Sequence, residues 1–578
     1  MLLLLIICFL FFFLSACYSL SIFFLSHHGN DSCLLKFICS CSVLDFFLVF
    51  IFMSMIYFFF FEWVIYSLSS CNITCIFVVW LGFFIFYVFC FFDFWFCSFF
   101  LELVMWGVIY IYFVFFILYF FFILSMVFFI LMPDLICLIL GWDGLGLVSY
   151  CLIVYYGNSS SLSSGLVTVF MNRMGDVFLV FSMGWFLNFG SWHFFLFVDF
   201  FDYDFFLVIY LILFASFTKS AQFPFCYWLP MAMSAPTPVS SLVHSSTLVT
   251  SGVYLILRFN FYLFYFDTFF LMVISLLTML ISGFNASLEN DLSKIIAFST
   301  LSQLGFMFFV LSFGSLTLCF IHLLIHAVFK SLLFLCSGFF IHCFLGSQDI
   351  RYMGGLVIQS PYFSSCFCVS LLCLSGFPFL SGFYSSDFVV ELMMVMELSF
   401  FFFFFFFFFF FFIFFFFFFF VYFFPFISFL NCFYMNISLF LLFFFSIFGG
   451  SLIFWLFSDF IFVIDFFLSV FPLMLFIFSL VFFFDVLNNF FFFCSFFHYF
   501  FFGNMWFLNY FSTSFFLARF FSFSSYSYNL IDLGWLEYFI SGGLMGFFRW
   551  VSSVFEGFYL NSFFLVMVSF FFFVFYFI

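Results

Sequence analysis

The chain reads as an all-α polytopic membrane protein, and three observations point there. Of its 578 residues, 69% are hydrophobic and only 6% are charged. Its mean hydropathy is +1.43. The apolar residues also run in long unbroken stretches. A soluble domain with this balance would expose far too much apolar surface. A spanning helix needs ~20 apolar residues, so with short connections this length holds roughly 14 to 16 spans. A transmembrane β-barrel would instead show alternating segments of ~10 residues.

The opening run Met1 to Leu14 has neither a positive start nor a small-residue cleavage site. It reads as a first span rather than a signal peptide. Residues 1–108 as a whole read as N-terminal transmembrane helices. Among the 145 Phe is a near-unbroken tract from Phe400 to Phe420, interrupted only by Ile413. That tract is long enough to cross a bilayer. Leu, Ile or Val would serve a lipid-facing helix equally well, so the Phe excess points to T-rich codons of the kind mitochondrial genomes use.

The formal charge of −15 comes from 24 acidic residues against 9 basic ones. So few Lys and Arg cannot fix membrane orientation, and they form no basic cluster of the kind nucleic acids need. The 20 Cys include Cys39-Ser-Cys41, Cys71 with Cys75, and Cys366-Phe-Cys368. None of these spacings suits a zinc or iron–sulfur site, and the cysteines read as small apolar residues.

Charges at bilayer depth cost ~2.5–3.5 kcal/mol each on insertion scales, so those embedded in apolar segments mark function. Within Leu131 to Tyr156, the stretch Gly141-Trp-Asp-Gly-Leu-Gly-Leu-Val-Ser-Tyr150 embeds Asp143 in a span, as a candidate titrating acid. Its glycines suit close helix packing, not a dinucleotide loop, since no strand precedes them. The next span carries Asn172-Arg-Met-Gly-Asp176. Arg173 and Asp176 share a helical face and can pair with each other or tune Asp143.

Lys219 is followed by Pro224 and Pro230, which break a helix. A lysine beside a break at membrane depth is the pattern of a discontinuous transporter helix, and such a lysine can exchange a proton. His244 opens the next helix after Pro236 and Pro238 and can relay from Lys219. Within Ser315 to Phe340, steps of four put His322, His326 and Lys330 on one face, as a chain of exchange sites that Lys294 can join. A second interruption is signalled by Ser375-Gly-Phe-Pro-Phe-Leu-Ser-Gly-Phe-Tyr-Ser-Ser-Asp387. Paired interruptions point to inverted repeats around a midplane ion path.

These motifs carry a resemblance. Gly141 to Tyr150, Asn172-Arg-Met-Gly-Asp-Val177, Lys219-Ser-Ala-Gln222, Trp228-Leu-Pro230 and Ala235-Pro-Thr-Pro-Val-Ser240 lead it. His244-Ser-Ser-Thr247, Lys294-Ile-Ile-Ala-Phe-Ser-Thr300, Ser302-Gln-Leu-Gly305, His326-Ala-Val-Phe-Lys330 and Gln348-Asp-Ile-Arg351 follow in order. Together they resemble the mitochondrial NADH dehydrogenase subunit 5 family, the distal antiporter-like subunits of respiratory complex I. The likeness is strongest over residues 130–392, and Asp532-Leu-Gly-Trp-Leu-Glu537 resembles the family's C-terminal part.

The resemblance implies an antiporter-like fold of about 14 core spans, with two inverted five-helix repeats, broken helices, a lateral helix and a C-terminal anchor span. It divides the chain into first repeat 109–262, second repeat 263–425, additional helices 426–505, lateral region 506–560 and anchor 561–578. It implies proton translocation across the mitochondrial inner membrane, driven by NADH:ubiquinone oxidoreduction in partner subunits. NADH, FMN, iron–sulfur clusters and ubiquinone are then expected in those partners, with no cofactor in this chain. Neighbouring antiporter-like subunits and lipids are the expected contacts. Asp143 takes the place of the family's usual Glu, with Lys219 as its partner and Arg173 and Asp176 as modulators. His244, His322, His326 and Lys330 form the implied central axis. The alternatives are a subunit of a cation/proton antiporter, or a non-conducting structural subunit of the membrane arm.

One position departs from the family pattern Gly-Phe-Tyr-Ser-Lys-Asp. Here it reads Gly382-Phe-Tyr-Ser-Ser-Asp387, so Ser386 stands where a lysine serves proton exit. The exit then passes to Asp387, to Glu391 or to water, or is impaired.

Overall fold

The computed structural model describes residues 58–67, 72–80, most of 109–189, 204–259, most of 268–395, 433–457 and most of 505–577. The first-span reading of Met1 to Leu14, the Phe400 to Phe420 tract and most of the additional-helix region lie outside the described residues. The chain divides into two compact units, Met1–Phe496 and Phe497–Ile578.

Unit one is built from helices α1 (Ile109–Leu131), α2 (Leu135–Ile153), α3 (Ser159–Phe186) and α4 (Asp204–Lys219). They are followed by α5 (Thr237–Arg258), α6 (Phe269–Leu288), α7 (Leu292–Ser312) and α8 (Leu316–Cys343). Then come α9 (Pro361–Leu374), α10 (Ser381–Val395) and α11 (Phe433–Phe457). Six of these, α2, α3 and α5 to α8, are long and apolar enough to cross a membrane. The chain is therefore a multi-pass membrane protein.

Burial sorts the helices. The central stretches of spans α5, α7 and α8 are enclosed, whereas α2, α3 and α6 keep an outward face. On α2 and α3 that face carries Leu140, Leu147, Leu162, Phe170 and Phe181, all exposed. Apolar residues facing out are what lipid or a partner helix requires. Polar side chains turn inward instead, reversing the soluble pattern: Ser182, Ser216, Thr218, Lys219 and Gln222 are fully buried.

Small residues set the helix spacing. A Cβ at Gly175 of α3 would collide with the Thr218 hydroxyl of α4, so only glycine permits this approach. That contact holds the end of α4 against α3. Neighbours α6 and α7 pack against each other. Their turn is pinned to a later loop: Leu292 N donates to Gln348 O at 3.0 Å and Ile350 N to Asn290 O at 3.0 Å.

Two helices are interrupted. After Lys219 the chain leaves helical geometry through Ala221, with φ +54°, and a cis Phe223–Pro224 bond, then resumes as the single turn Trp228–Met231. After Leu374 it turns through Gly376 (φ +71°) and Phe379 (φ +68°) before α10 begins at Ser381.

One local stretch departs from the all-helical expectation. Phe58–Ser67 pairs antiparallel with Asn72–Trp80, from Phe58 opposite Trp80 to Ser67 opposite Asn72, with an irregularity between Val64 and Tyr66. Both segments are rich in Phe, Trp, Val, Ile and Thr, which favour strands as readily as apolar helices.

Unit two is helical. The segment Phe516–Ser527, the wide turns of Tyr528–Gly543 and Leu544–Tyr559 follow one another, and Ser562–Phe577 closes the unit.

Candidate functional site

The site forms where α4 breaks. Lys219, the last residue of α4, is fully buried. Its ammonium donates to the Trp142 carbonyl of α2 at 2.5 Å and lies 3.8 Å from the centre of the Trp142 ring. A desolvated ammonium over an indole gains ~2 kcal/mol or more. The Trp142 indole N–H donates to Asp176 Oδ1 at 2.9 Å. Arg173 pairs with Asp176 at 3.1 Å and with Asp143 at 3.6 Å.

Lys219, Trp142, Asp176, Arg173 and Asp143 thus form one connected group. Lys219 and Asp143 make no direct ion pair among the described residues. Lys219 reaches Trp142 and Arg173 reaches Asp143, with Asp176 bonded to both Trp142 and Arg173, while Asp176 and Asp143 also act on the ammonium through space. Asp143 is not enclosed: 39% of its side chain is accessible, beside an Arg173 side chain that is 54% accessible. The pair therefore meets the outside of the chain.

The break itself is braced. Trp228 Nε1 donates to Thr218 O at 2.9 Å, and Thr278 of α6 donates to Gln222 Oε1 at 2.8 Å. Past the break, α5 passes through wide turns over Ser240–Thr247. Its hydroxyls bond backward, Thr247 Oγ1 to Leu242 O at 2.8 Å and Ser246 Oγ to Leu242 O at 3.0 Å. Such back-bonding loosens a helix, and widened turns gather at functional sites. His244 sits in this segment, fully buried, with its ring 6.2 Å from Trp228. The same segment packs against α8.

On α8, His322, His326 and Lys330 are all buried. The rings of His322 and His326 are 6.3 Å apart. His322 Nε2 lies 2.8 Å from Gln303 Oε1 and Nδ1 lies 3.0 Å from Ser385 Oγ. The imidazole is thus held between an amide oxygen and a serine hydroxyl, and that hydroxyl also lies 3.3 Å from Gly382 O. Lys330 donates to Ser299 Oγ at 2.5 Å. His244 and His326 have both ring nitrogens buried without a hydrogen-bond partner among the described residues.

Lys294 stands apart from this axis, paired with Asp291 at the α7 start. Asp387 is buried at the second break, where Ser386 Oγ donates to Gly382 O at 2.8 Å and lies 3.3 Å from Asp387 Oδ1. Trp142, Gln303, Ser385 and Ser299 were assigned no role from the sequence. Their signal is adjacency: Trp142 precedes Asp143, Gln303 lies in the Ser302-Gln-Leu-Gly305 motif, and Ser385 precedes the departing Ser386. Among the described residues, no group of three or more His, Cys, Asp or Glu could hold a metal.

This arrangement has known counterparts. Residues 132–413 match the family model described as NADH:quinone oxidoreductase/Mrp antiporter, TM, and residues 412–578 match that of the NADH dehydrogenase subunit 5 C-terminus. A solved structure, the Mrp complex from Dietzia sp. DQ12-45-1b, superposes with a TM-score of 0.65 at 20% identity, covering 76% of this chain and 52% of that one. That likeness establishes the antiporter-like fold. The NADH-ubiquinone oxidoreductase chain 5 of Locusta migratoria is 53% identical over 281 residues, 48% of this chain and 49% of that protein. The Aedes aegypti chain 5 is 50% identical over 293 residues, 50% of each chain. The chain thus spans about half the length of these curated relatives. The Anopheles arabiensis chain 5 is 50% identical over 290 residues, 50% of this chain and 76% of that protein. On this match, the chain belongs to the NADH-ubiquinone oxidoreductase chain 5 family.

Proposed function

We propose that this chain is a proton-translocating membrane-arm subunit of respiratory complex I in the mitochondrial inner membrane. The observation that carries the reading is the set of buried ionisable groups: Lys219, His244, His322, His326 and Lys330 all lie in the interior of a membrane protein. Groups this costly to bury are retained for ion or proton transfer. The relatives' names supply the coupling reaction, NADH oxidation by ubiquinone. Its NADH, FMN, iron–sulfur and ubiquinone sites are assigned to partner chains, because this sequence carries none of their motifs.

The geometry supports a sequence of events. A neighbouring subunit reaches the accessible Asp143–Arg173 pair. Drawing Arg173 towards or away from Asp176 changes the charge that Lys219 experiences through Trp142 and through space. Lys219 then yields its proton to the interior, where His244 stands beside α8. Lys330, His326 and His322 carry it towards the second break, where His322 meets Ser385, two residues before Asp387. Each transfer moves a proton between hydrogen-bonding groups, with water bridging those that do not touch.

The likeness to the Mrp complex favours a second reading, a cation/proton antiporter subunit. A third, a non-conducting structural subunit, draws on Ser386 in place of a lysine. A native gel of solubilised membranes, stained for NADH dehydrogenase activity, separates the first two. Peptides of this chain in the active band support complex I. Their presence only in a smaller complex without that activity supports the antiporter. Lys219→Met then tests conduction: proton flux should be lost from reconstituted vesicles, and unchanged flux leaves the structural reading.

A further inference from the structure

Four polar residues of α6 belong to no step above. Ser275, Thr278, Ser282 and Asn285 are all fully buried. Their spacings of three, four and three hold them on one face of the helix. One step of four further on, past the end of α6, stands Glu289. Its carboxyl is pushed above the usual glutamate range by burial first, with Asp291 adding to that shift and Lys294 opposing it.

Each end of this stripe meets chemistry. At the inner end the Thr278 hydroxyl donates to Gln222 Oε1 at 2.8 Å, three residues past Lys219. There α7 comes close because Gly305 has no side chain: a Cβ on it would stand 2.6 Å from Thr278 Oγ1. At the outer end the carboxyl of Glu289 adjoins Lys294 and Asp291, and that pair belongs to the turn pinned to the 348–350 loop. Between the ends, Asn285 is 0% exposed and neither its amide oxygen nor its nitrogen has a hydrogen-bond partner. A buried amide of this kind is ordinarily completed by water. The Ser275 and Ser282 hydroxyls donate to carbonyls one turn back, which leaves their lone pairs as acceptors along the same face.

We infer that the inner face of α6 lines a water path, from Gln222 beside the buried lysine past Asn285 to the Glu289 carboxyl at the α6–α7 turn. The inference rests on the proton-translocating reading and gives Lys219 an access route separate from α8. Water supplies both donor and acceptor to Asn285 and passes protons along without any covalent change in the protein.

The experiment uses the assembled complex in native membranes. Asn285→Cys and, as the adjacent apolar control, Ala286→Cys are exposed to a charged, water-soluble methanethiosulfonate, and modification is read on the peptide that holds residue 285 or 286. The cysteine at 285 should react at least about tenfold faster than that at 286, since thiol reactivity follows solvent access. Equal inertness overturns the path. In parallel, Asn285→Leu should lower the protons moved per NADH while uncoupled NADH oxidation persists. Unchanged stoichiometry removes the path as a proton route even if 285 is labelled. Lys219→Met separates the two levels. If it abolishes pumping while Asn285→Leu pumps like the parent, the α6 path fails and the translocation reading stands. If Lys219→Met itself pumps normally, the translocation reading fails and the inference goes with it. Should Asn285→Leu fail to assemble, the labelling contrast decides alone.

Discussion

Lys219 and Trp142 are joined twice: the ammonium donates to the tryptophan carbonyl at 2.5 Å and lies 3.8 Å from the centre of its ring. The same indole donates to Asp176 at 2.9 Å. Trp142 is thus the piece through which a carboxylate and a lysine that do not pair directly are held in one arrangement.

Trp142→Phe keeps an aromatic face and the carbonyl but removes the donor to Asp176, together with part of the buried indole surface. A hydrogen bond to a charged group contributes about 1.5–3 kcal/mol. Part of that loss should appear as proton flux slowed by about tenfold. Trp142→Leu, which also loses the aromatic face, should be slower still. Flux per NADH in vesicles measures both, and parental flux in both variants refutes the coupling role.

Ser299→Ala removes the hydroxyl that accepts from Lys330 at 2.5 Å. The lysine is fully buried, so an orphaned donor there costs about 1–3 kcal/mol. The variant should lower the thermal stability of the isolated complex, and Ser299→Thr should recover most of it. An unchanged melting profile for Ser299→Ala would show that Lys330 has another partner.

Gln303 and Ser385 fix opposite nitrogens of His322. Gln303→Leu and Ser385→Ala should therefore be non-additive, with a coupling of about 0.5–3 kcal/mol when proton-flux rates are converted to free energies in a double-mutant cycle. Strict additivity would mean that the two contacts orient the ring independently of transfer.

The Ser386 departure allows a reciprocal test. In the parent, Asp387→Asn should abolish exit, since Asp387 is the buried acid at this break. Ser386→Lys restores the cation of the family pattern at the residue whose serine oxygen now lies 3.3 Å from Asp387 Oδ1. Flux should survive Asp387→Asn better in that background. Equal flux through parent and Asp387→Asn places the exit elsewhere, with Glu391 the next acid to vary.

Burial holds the Glu289 carboxyl above the usual glutamate range. The folded state therefore binds a proton that the unfolded state has released, and its stability falls as pH rises from the ordinary glutamate value through the raised one. Glu289→Gln should flatten that slope. Melting temperature of the complex against pH checks it, and parallel curves for parent and variant would show that the fold does not feel this ionisation.

Much of the arrangement was legible in the residues. Proline and glycine marked both breaks, and an otherwise apolar background made Lys219, His322, His326 and Lys330 stand out. What escaped was set by packing. The direct Asp143–Lys219 pair was expected from the family; nothing in residue spacing reveals that Lys219 bonds to Trp142 and Asp143 to Arg173 instead. Gln303 and Ser385 are ordinary polar residues until α7, α8 and α10 bring them to one imidazole. The strand pairing of Phe58–Ser67 with Asn72–Trp80 was hidden because Phe, Ile and Val suit helix and strand alike in an oily chain. Asn285 went unnoticed since one amide in a helix carries no signal until its lack of partners is seen.

The interruption after Lys219 has an electrostatic side. Ending α4 at this residue puts the ammonium at the negative pole of a helix whose peptide dipoles all point the same way. In an unbroken helix the same side chain would sit mid-length, where those dipoles cancel. Together with the Trp142 carbonyl, backbone oxygens thus give Lys219 a fractional counter-charge that never titrates and never leaves. Its carboxylate neighbours are left as the adjustable part, acting on top of a contribution that the main chain holds constant.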